Sequence, residues 1–389
     1  MYNRPTVLTD QGHGPGIPEM TAALSYIDLA VLSVIIILQI TLMLEVCVVG
    51  LGALGTLYGF AIERSGKARV TAVCRSNYDI VKTRGIDIKS EKFGDFDAWK
   101  PSRVVASTAD AADRQYDYII CAAKFVPDLI PTSSILGPLI HHAPAIYLIQ
   151  NGIGVHEELI QLVPNTTIMS ACAWTDATAI DGGRVVRHGL LDRVLIGIHW
   201  PTGPIDVARK AASQEHLDVL VDALKTGGCD VKRSDNIESS RWEKNLWNIG
   251  FSVTTTLTRS SVATLLTDKW VAVSYPMAKG FIQEAIDVAS AIGLPMPETA
   301  IPSIEDTTFP VYAETYPPRG ETPFTPMHYK PSMLVDFEAG NPMEIHGIVG
   351  GVVKRAREAG VPVPRLETAF ATLLLLQEPL LLARTKKSV

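Results

Sequence analysis

Three polar side chains at four-residue spacing, Lys244, Asn248 and Ser252, are the first candidates for chemistry. On a helix that spacing sets them in one row along one face. Lys244 stands between Trp242 and Trp247 in a mostly apolar stretch. Apolar surroundings penalise the charged form of a lysine and move its pKa toward the range useful for acid–base work. The plainer reading is a lysine that solvates the outer face of its helix.

A second set of candidates lies at the ends of apolar runs. The stretch EVCVVGLGALG carries Val46 to Val49 into Gly50, Leu51, Gly52, Ala53, Leu54 and Gly55. A buried parallel strand followed by GxGxxG and a helix is the pattern of a dinucleotide turn. The first glycine makes the turn, the second admits a pyrophosphate to the backbone, and the third lets helix and strand pack closely. The helix N-terminus adds free N–H groups and a positive dipole end. The next strand, Arg69 to Cys74, ends in Arg75, and the nearest acid, Asp79, lies a helical turn further on. An acid at the strand end would bind a ribose hydroxyl, whereas an arginine accommodates a 2′-phosphate, so Arg75 points to NADP rather than NAD. The alternative is that Arg75 is only a surface residue. Lys124 follows the run YDYIICAA and Asn151 follows the run from Ala145 to Ile149. Ligands bind at the carboxyl ends of strands in open α/β sheets, which makes both residues candidates, although Asn-Gly is also a common turn.

These groups need elements to hold them. The chain has 389 residues, enough for two domains with filled cores. It is 47% hydrophobic and 20% charged, with a formal net charge of −6. No basic run interleaved with aromatics occurs, so nucleic acid is not an expected partner. The five cysteines are dispersed, with no CxxC, and the histidines show no HExxH or other metal spacing. That argues against a disulfide framework or a metal site and suits a reducing compartment, hence a cytoplasmic protein.

Residues 1–42 read as a poorly ordered extension, rich in Gly, Pro and Thr at its start. An uncharged apolar segment follows at residues 29–44. It is shorter than the about 20 residues a spanning helix wants and abuts the first strand directly, so a membrane anchor is the less favoured reading. From residue 43 to 235 strands alternate with helices, the mark of an α/β domain with a parallel sheet. Short strands are expected at Ile86 to Ile88, Arg103 to Ala106, Ile168 to Trp174, Arg184 to His188 and Arg193 to Ile198. A helix is expected from Gln214 to Thr226. After Asn236 strand signals largely vanish, and residues 236–389 read as all-α. The expected helices are Ile237 to Leu266, Lys269 to Ile292, Ser332 to Glu338, Met343 to Ala359 and Leu366 to Leu382. The Pro- and Thr-rich stretch from Ala300 to Pro331 reads as a long loop or lid. Glu344 falls in the first turn of its helix, where a negative charge suits the dipole.

Taken in order, the motifs resemble the ketopantoate reductase (2-dehydropantoate 2-reductase) family. They are GLGALG at 50–55, Arg75, Lys124, QNGIG at 150–154, RWEKNLWN at 241–248, PSMLVDFEAGNPMEIHGIVG at 331–350 and GVPVP at 360–364. The resemblance covers about Met43 to Gln377. It implies an N-terminal Rossmann-type dinucleotide-binding domain followed by an all-α C-terminal domain for substrate and dimerisation. It also implies an NADP(H)-dependent oxidoreductase of pantothenate biosynthesis, with a homodimer expected. By this resemblance Lys244 is the catalytic lysine and Glu344 contributes to substrate binding and catalysis. Asn248 and Ser332 bind substrate, Asn151 lies near nicotinamide and substrate, and Lys124 contacts the cofactor.

Two departures bear on the substrate. The family often has a second asparagine four residues after the first, where this chain has Ser252, a shorter group with one donor. The 300–331 stretch also looks longer than the bacterial pattern. The expected reaction is reduction of a 2-oxo acid, 2-dehydropantoate first, with Lys244 as general acid. The rivals are a reductase of another branched 2-oxo acid or 3-hydroxyacid-type substrate, and an NADP-binding sensor without turnover.

Overall fold

A computed structural model describes residues 43–313 and 329–385. The N-terminal extension and its apolar segment lie outside the described residues, apart from Met43 and Leu44.

Ten strands form one sheet: β1 (Leu44–Val49), β2 (Ala68–Val73), β3 (Ile86–Ser90), β4 (Gly94–Trp99), β5 (Arg103–Val105), β6 (Tyr118–Cys121), β7 (Ala145–Leu148), β8 (Thr167–Ile180), β9 (Val185–His199) and β10 (Asp230–Arg233). Their order is β4-β3-β9-β8-β7-β6-β1-β2-β5, with β10 beside β9. The run from β5 through β2, β1, β6 and β7 to β8 is parallel throughout. This is a doubly wound dinucleotide-binding order, and it reverses between β1 and β6. The strand sequences explain its two-sided burial. Val46 and Val48 face one core with Leu57, Tyr58 and Ile62 from helix α1 (Ala53–Arg64). Cys47 and Val49 face the other, with Ile119, Cys121, Ile146 and Leu148. Successive side chains point to opposite faces, so an unbroken apolar run fills both cores.

The pieces expected at Ile168 to Trp174, Arg184 to His188 and Arg193 to Ile198 belong to one long antiparallel hairpin, β8–β9. Its polar outer residues hide the continuity. Strand β4, not expected from the sequence, pairs antiparallel with β3 and sits mostly exposed. Helix α2 (Val207–Thr226) starts earlier than expected, because the Asp206 carboxylate caps it through the Arg209 amide at 2.8 Å.

Beyond β10 the described elements are helical. Helices α3 (Ile237–Trp247), α4 (Val271–Ala291), α5 (Ala300–Tyr312), α6 (Ser332–Glu338), α7 (Gly351–Ala359) and α8 (Pro364–Thr385) share a core. It contains Trp242, Leu246, Ile282, Val288, Ile345, Val352, Leu366 and Leu373. Two corrections apply here. The single helix expected from Ile237 to Leu266 is broken. A wide π-turn at Asn248–Ser252 follows α3, and Arg259, with φ 53°, ends the next helix in the left-handed region. The hydroxyls of Thr254, Thr255 and Thr256 bond back to carbonyls three to four residues earlier, which loosens the ladder there. The 300–331 stretch is also no continuous loop. Ala300, Ile304 and Thr308 recur every four residues and are buried, so α5 forms; residues 314–328 lie outside the described residues. Pro302 occupies the first turn, where no amide donor is needed, and Pro310 falls two residues from the helix end.

Candidate active site

The glycine turn is built as its residue types require. Gly50 has φ 93°, and a Cβ there would lie 2.8 Å from the Ala123 amide nitrogen. A Cβ on Gly55 would lie 2.1 Å from the Gly50 carbonyl oxygen. At Gly52 a Cβ would meet nothing within 4 Å, so the space above the turn is open. Leu51, Ala53 and Leu54 complete the turn into α1, and the Asn77 side chain donates to the Leu51 carbonyl at 2.9 Å. Arg75 and Ser76 are exposed where β2 ends. A nicotinamide dinucleotide suits these residues. The backbone is bare where a pyrophosphate would approach, no side chain caps the first turn of α1, and a cation stands at the next strand end. Lys124, exposed after β6, pairs with the buried Asp336 of α6.

The second cluster sits after β7. Lys244 on α3 donates to Asn151 Oδ1 at 2.7 Å. The same amide donates through Nδ2 to Glu344 Oε2 at 3.0 Å. Glu344 Oε1 accepts from the Phe125 amide at 3.0 Å. Glu344 is buried and lies just before a second π-turn, His346–Gly350, where its carbonyl accepts from the Ile348 amide at 3.0 Å. The Asn151 amide thus faces Lys244 with its oxygen and Glu344 with its nitrogen, which fixes its orientation. Glu344 is linked to Lys244 through this amide, and its charge also acts on the lysine through space.

Asn151, Cys172, Arg241, Lys244, Asn245 and Asn248 line one cleft. Burial pushes the Lys244 pKa down. Cys172 and Glu344 push it back up, while Arg241 adds to the lowering. Asn245, whose role no local pattern shows, donates to the Ile348 carbonyl at 2.8 Å. Among the described residues its buried Oδ1 has no hydrogen-bond partner. Arg241 lies three residues before Lys244 in the same RWEKNLWN stretch. A charge on the side of the helix shared with buried positions was the available signal.

Two expected site residues stand apart. Ser252 ends the first π-turn, is buried, and does not line the cleft. The π-turn adds residues per turn, so the four-residue row that holds on an α-helix is rotated beyond Asn248. Ser332 is exposed as the first residue of α6 and does not line the cleft either.

Histidines far apart in sequence meet elsewhere. The His156 and His199 rings stack with centroids 3.7 Å apart. Glu238 Oε1 lies 2.6 Å from His199 Nδ1 and 3.3 Å from His156 Nε2.

The family model described as "Ketopantoate reductase PanE/ApbA" matches residues 46–200, and that described as "Ketopantoate reductase PanE/ApbA C terminal" matches residues 236–377. An uncharacterised protein of Saccharomyces cerevisiae is 27% identical, over 87% of this chain and 95% of its own. The crystal structure of 2-dehydropantoate 2-reductase from Methylococcus capsulatus is similar at 29% identity and a TM-score of 0.67, covering 87% of this chain and 98% of that one. A ternary structure of D-mandelate dehydrogenase with NADH and anilino(oxo)acetate shares the fold at 19% identity and a TM-score of 0.67, covering 86% and 99%.

Proposed function

The chain belongs to the ketopantoate reductase family of nicotinamide-dependent oxidoreductases, and on that premise we propose that it reduces a 2-oxo acid with NADPH, 2-dehydropantoate to pantoate by preference. One observation carries the reading: the Lys244–Asn151–Glu344 chain of hydrogen bonds at the carboxyl edge of the sheet. Cofactor binding alone needs no such chain, which weighs against a sensor without turnover.

The division of labour follows the fold. Residues 43–235 hold the dinucleotide, with Gly50 to Gly55, Arg75 and Lys124 around it. Residues 236–389 supply Lys244, Asn248 and Glu344 and form the interface of a homodimer. When bound, the reduced nicotinamide supplies hydride to the substrate carbonyl carbon. Lys244 donates a hydrogen bond to the carbonyl oxygen and then its proton to the developing alkoxide. Asn151 aims the ammonium, Glu344 holds Asn151, and Asn248 orients the substrate. Ser332 keeps the substrate-binding role that the resemblance implies, while Ser252 is a substrate-binding candidate only by its position, where the family often has an asparagine. All five cysteines are free and buried, which suits a cytoplasmic enzyme.

A panel of 2-oxo acids, assayed with NADPH and NADH side by side, tests the reading. The expected result is the highest kcat/KM for 2-dehydropantoate with NADPH. A higher value for another 2-oxo acid assigns that substrate instead, equal use of NADH removes the role given to Arg75, and oxidation with no member of the panel removes the reductase.

A further inference from the structure

Arg241 is 3% exposed, and burial disfavours its charge, which Cys172, Glu238 and Glu344 partly offset through space. Its partners are backbone carbonyls. Nε donates to Gly152 at 2.9 Å, Nη2 to Gln150 at 2.7 Å and to Gly152 at 2.5 Å, and Nη1 to Ala171 at 3.1 Å. Two of the three carbonyls immediately flank Asn151. Burying a guanidinium is costly, and an apolar residue of similar volume would pack α3 against the sheet at least as well. The charge therefore needs a reason other than cohesion. The loop is gripped from its other side as well: the Ile153 amide donates to the Gly347 carbonyl at 2.7 Å, and Gly152, with φ 91°, has no room for a Cβ against Gly347.

Resting on the reductase reading above, we propose that Arg241 is a positioning residue, which clamps the carbonyls of Gln150 and Gly152 so that the Asn151 amide meets Lys244 and Glu344 together. It has a second effect through space. Lys244 is faced by Arg241 from its own helix, by Cys172 from β8, by Glu344 from the segment before the second π-turn and by neutral Asn151. Arg241 is the cation in that set, and it opposes a second positive charge on Lys244.

Two variants separate these effects from a structural staple. Arg241→Lys keeps the charge and cannot span three carbonyls; Arg241→Met keeps bulk and loses both. Folded fraction is checked by circular dichroism and NADPH binding. Side-chain amide exchange of Asn151, assigned with Asn151→Asp, is read by NMR and does not depend on turnover. Both variants are expected to speed that exchange and to lower kcat about 10-fold or more, in line with the usual cost of misplacing a catalytic group. The alkaline limb of the kcat profile should stay in place for Arg241→Lys and move to higher pH for Arg241→Met. Exchange and kcat at wild-type values in folded Arg241→Lys would overturn the proposal. If the wild type reduces no 2-oxo acid, the reductase reading fails on its own, and the exchange measurement still decides whether Arg241 positions Asn151.

Discussion

Lys244 and Asn151 show how little a single residue type decides. A lysine on an amphipathic helix is usually a solvated charge, and here it becomes a candidate acid because burial and Arg241 lower its pKa while an amide holds its nitrogen. Lys244→Ala should lower kcat about 10²–10⁴-fold, the usual contribution of general acid–base catalysis, and leave NADPH affinity nearly unchanged. Steady-state assays and isothermal titration check the two halves, and unchanged turnover removes Lys244 from the chemistry. Because the Lys244 pKa is depressed, reduction should fade as pH rises through a value below the ordinary lysine range. Lys244 and Asn248 were legible in the sequence as a row on one helix face. Arg241 and Asn245 were not, because their roles rest on carbonyls brought by other elements.

At the scale of elements, two glycines separate folding from binding. Gly152 has φ 91°, and a Cβ there would lie 2.1 Å from the Gly347 carbonyl carbon. Gly152→Ala should therefore destabilise the protein by roughly 1–3 kcal/mol or more in urea unfolding, since backbone strain of that size adds to the clash. Gly52 is in extended backbone with open space around it. Gly52→Ala should keep wild-type stability and weaken NADPH binding about 10-fold, the effect of about 1.4 kcal/mol of lost contact. Equal binding by Gly52→Ala would place the pyrophosphate elsewhere. The two π-turns explain why element boundaries were the least legible feature. A wide turn depends on back-bonding threonines and on backbone packing between segments, which periodicity does not register.

Across the whole molecule, His156 after β7, His199 at the end of β9 and Glu238 on α3 tie the sheet to the helices. Burial and the neighbouring His199 push the His156 pKa down to about 3. Burial would raise Glu238, but the His199 bond and the charges of His156, His199 and Arg241 hold it at about 2. Both groups bind fewer protons folded than unfolded, so stability is full above the unfolded histidine value and is lost as pH falls toward about 3. The melting temperature should drop between neutral and acid pH, and His156→Gln should flatten that slope; an unchanged slope removes the cluster as its source. The sequence by itself determined the apolar runs of the parallel strands, the glycine turn after the first of them and the helical character beyond residue 236, because each is local patterning. Only the tertiary structure decided the long β8–β9 hairpin, helix α5 and the meeting of Lys244, Asn151 and Glu344. Those contacts join residues 93 and 193 positions apart, a distance that no local period reports.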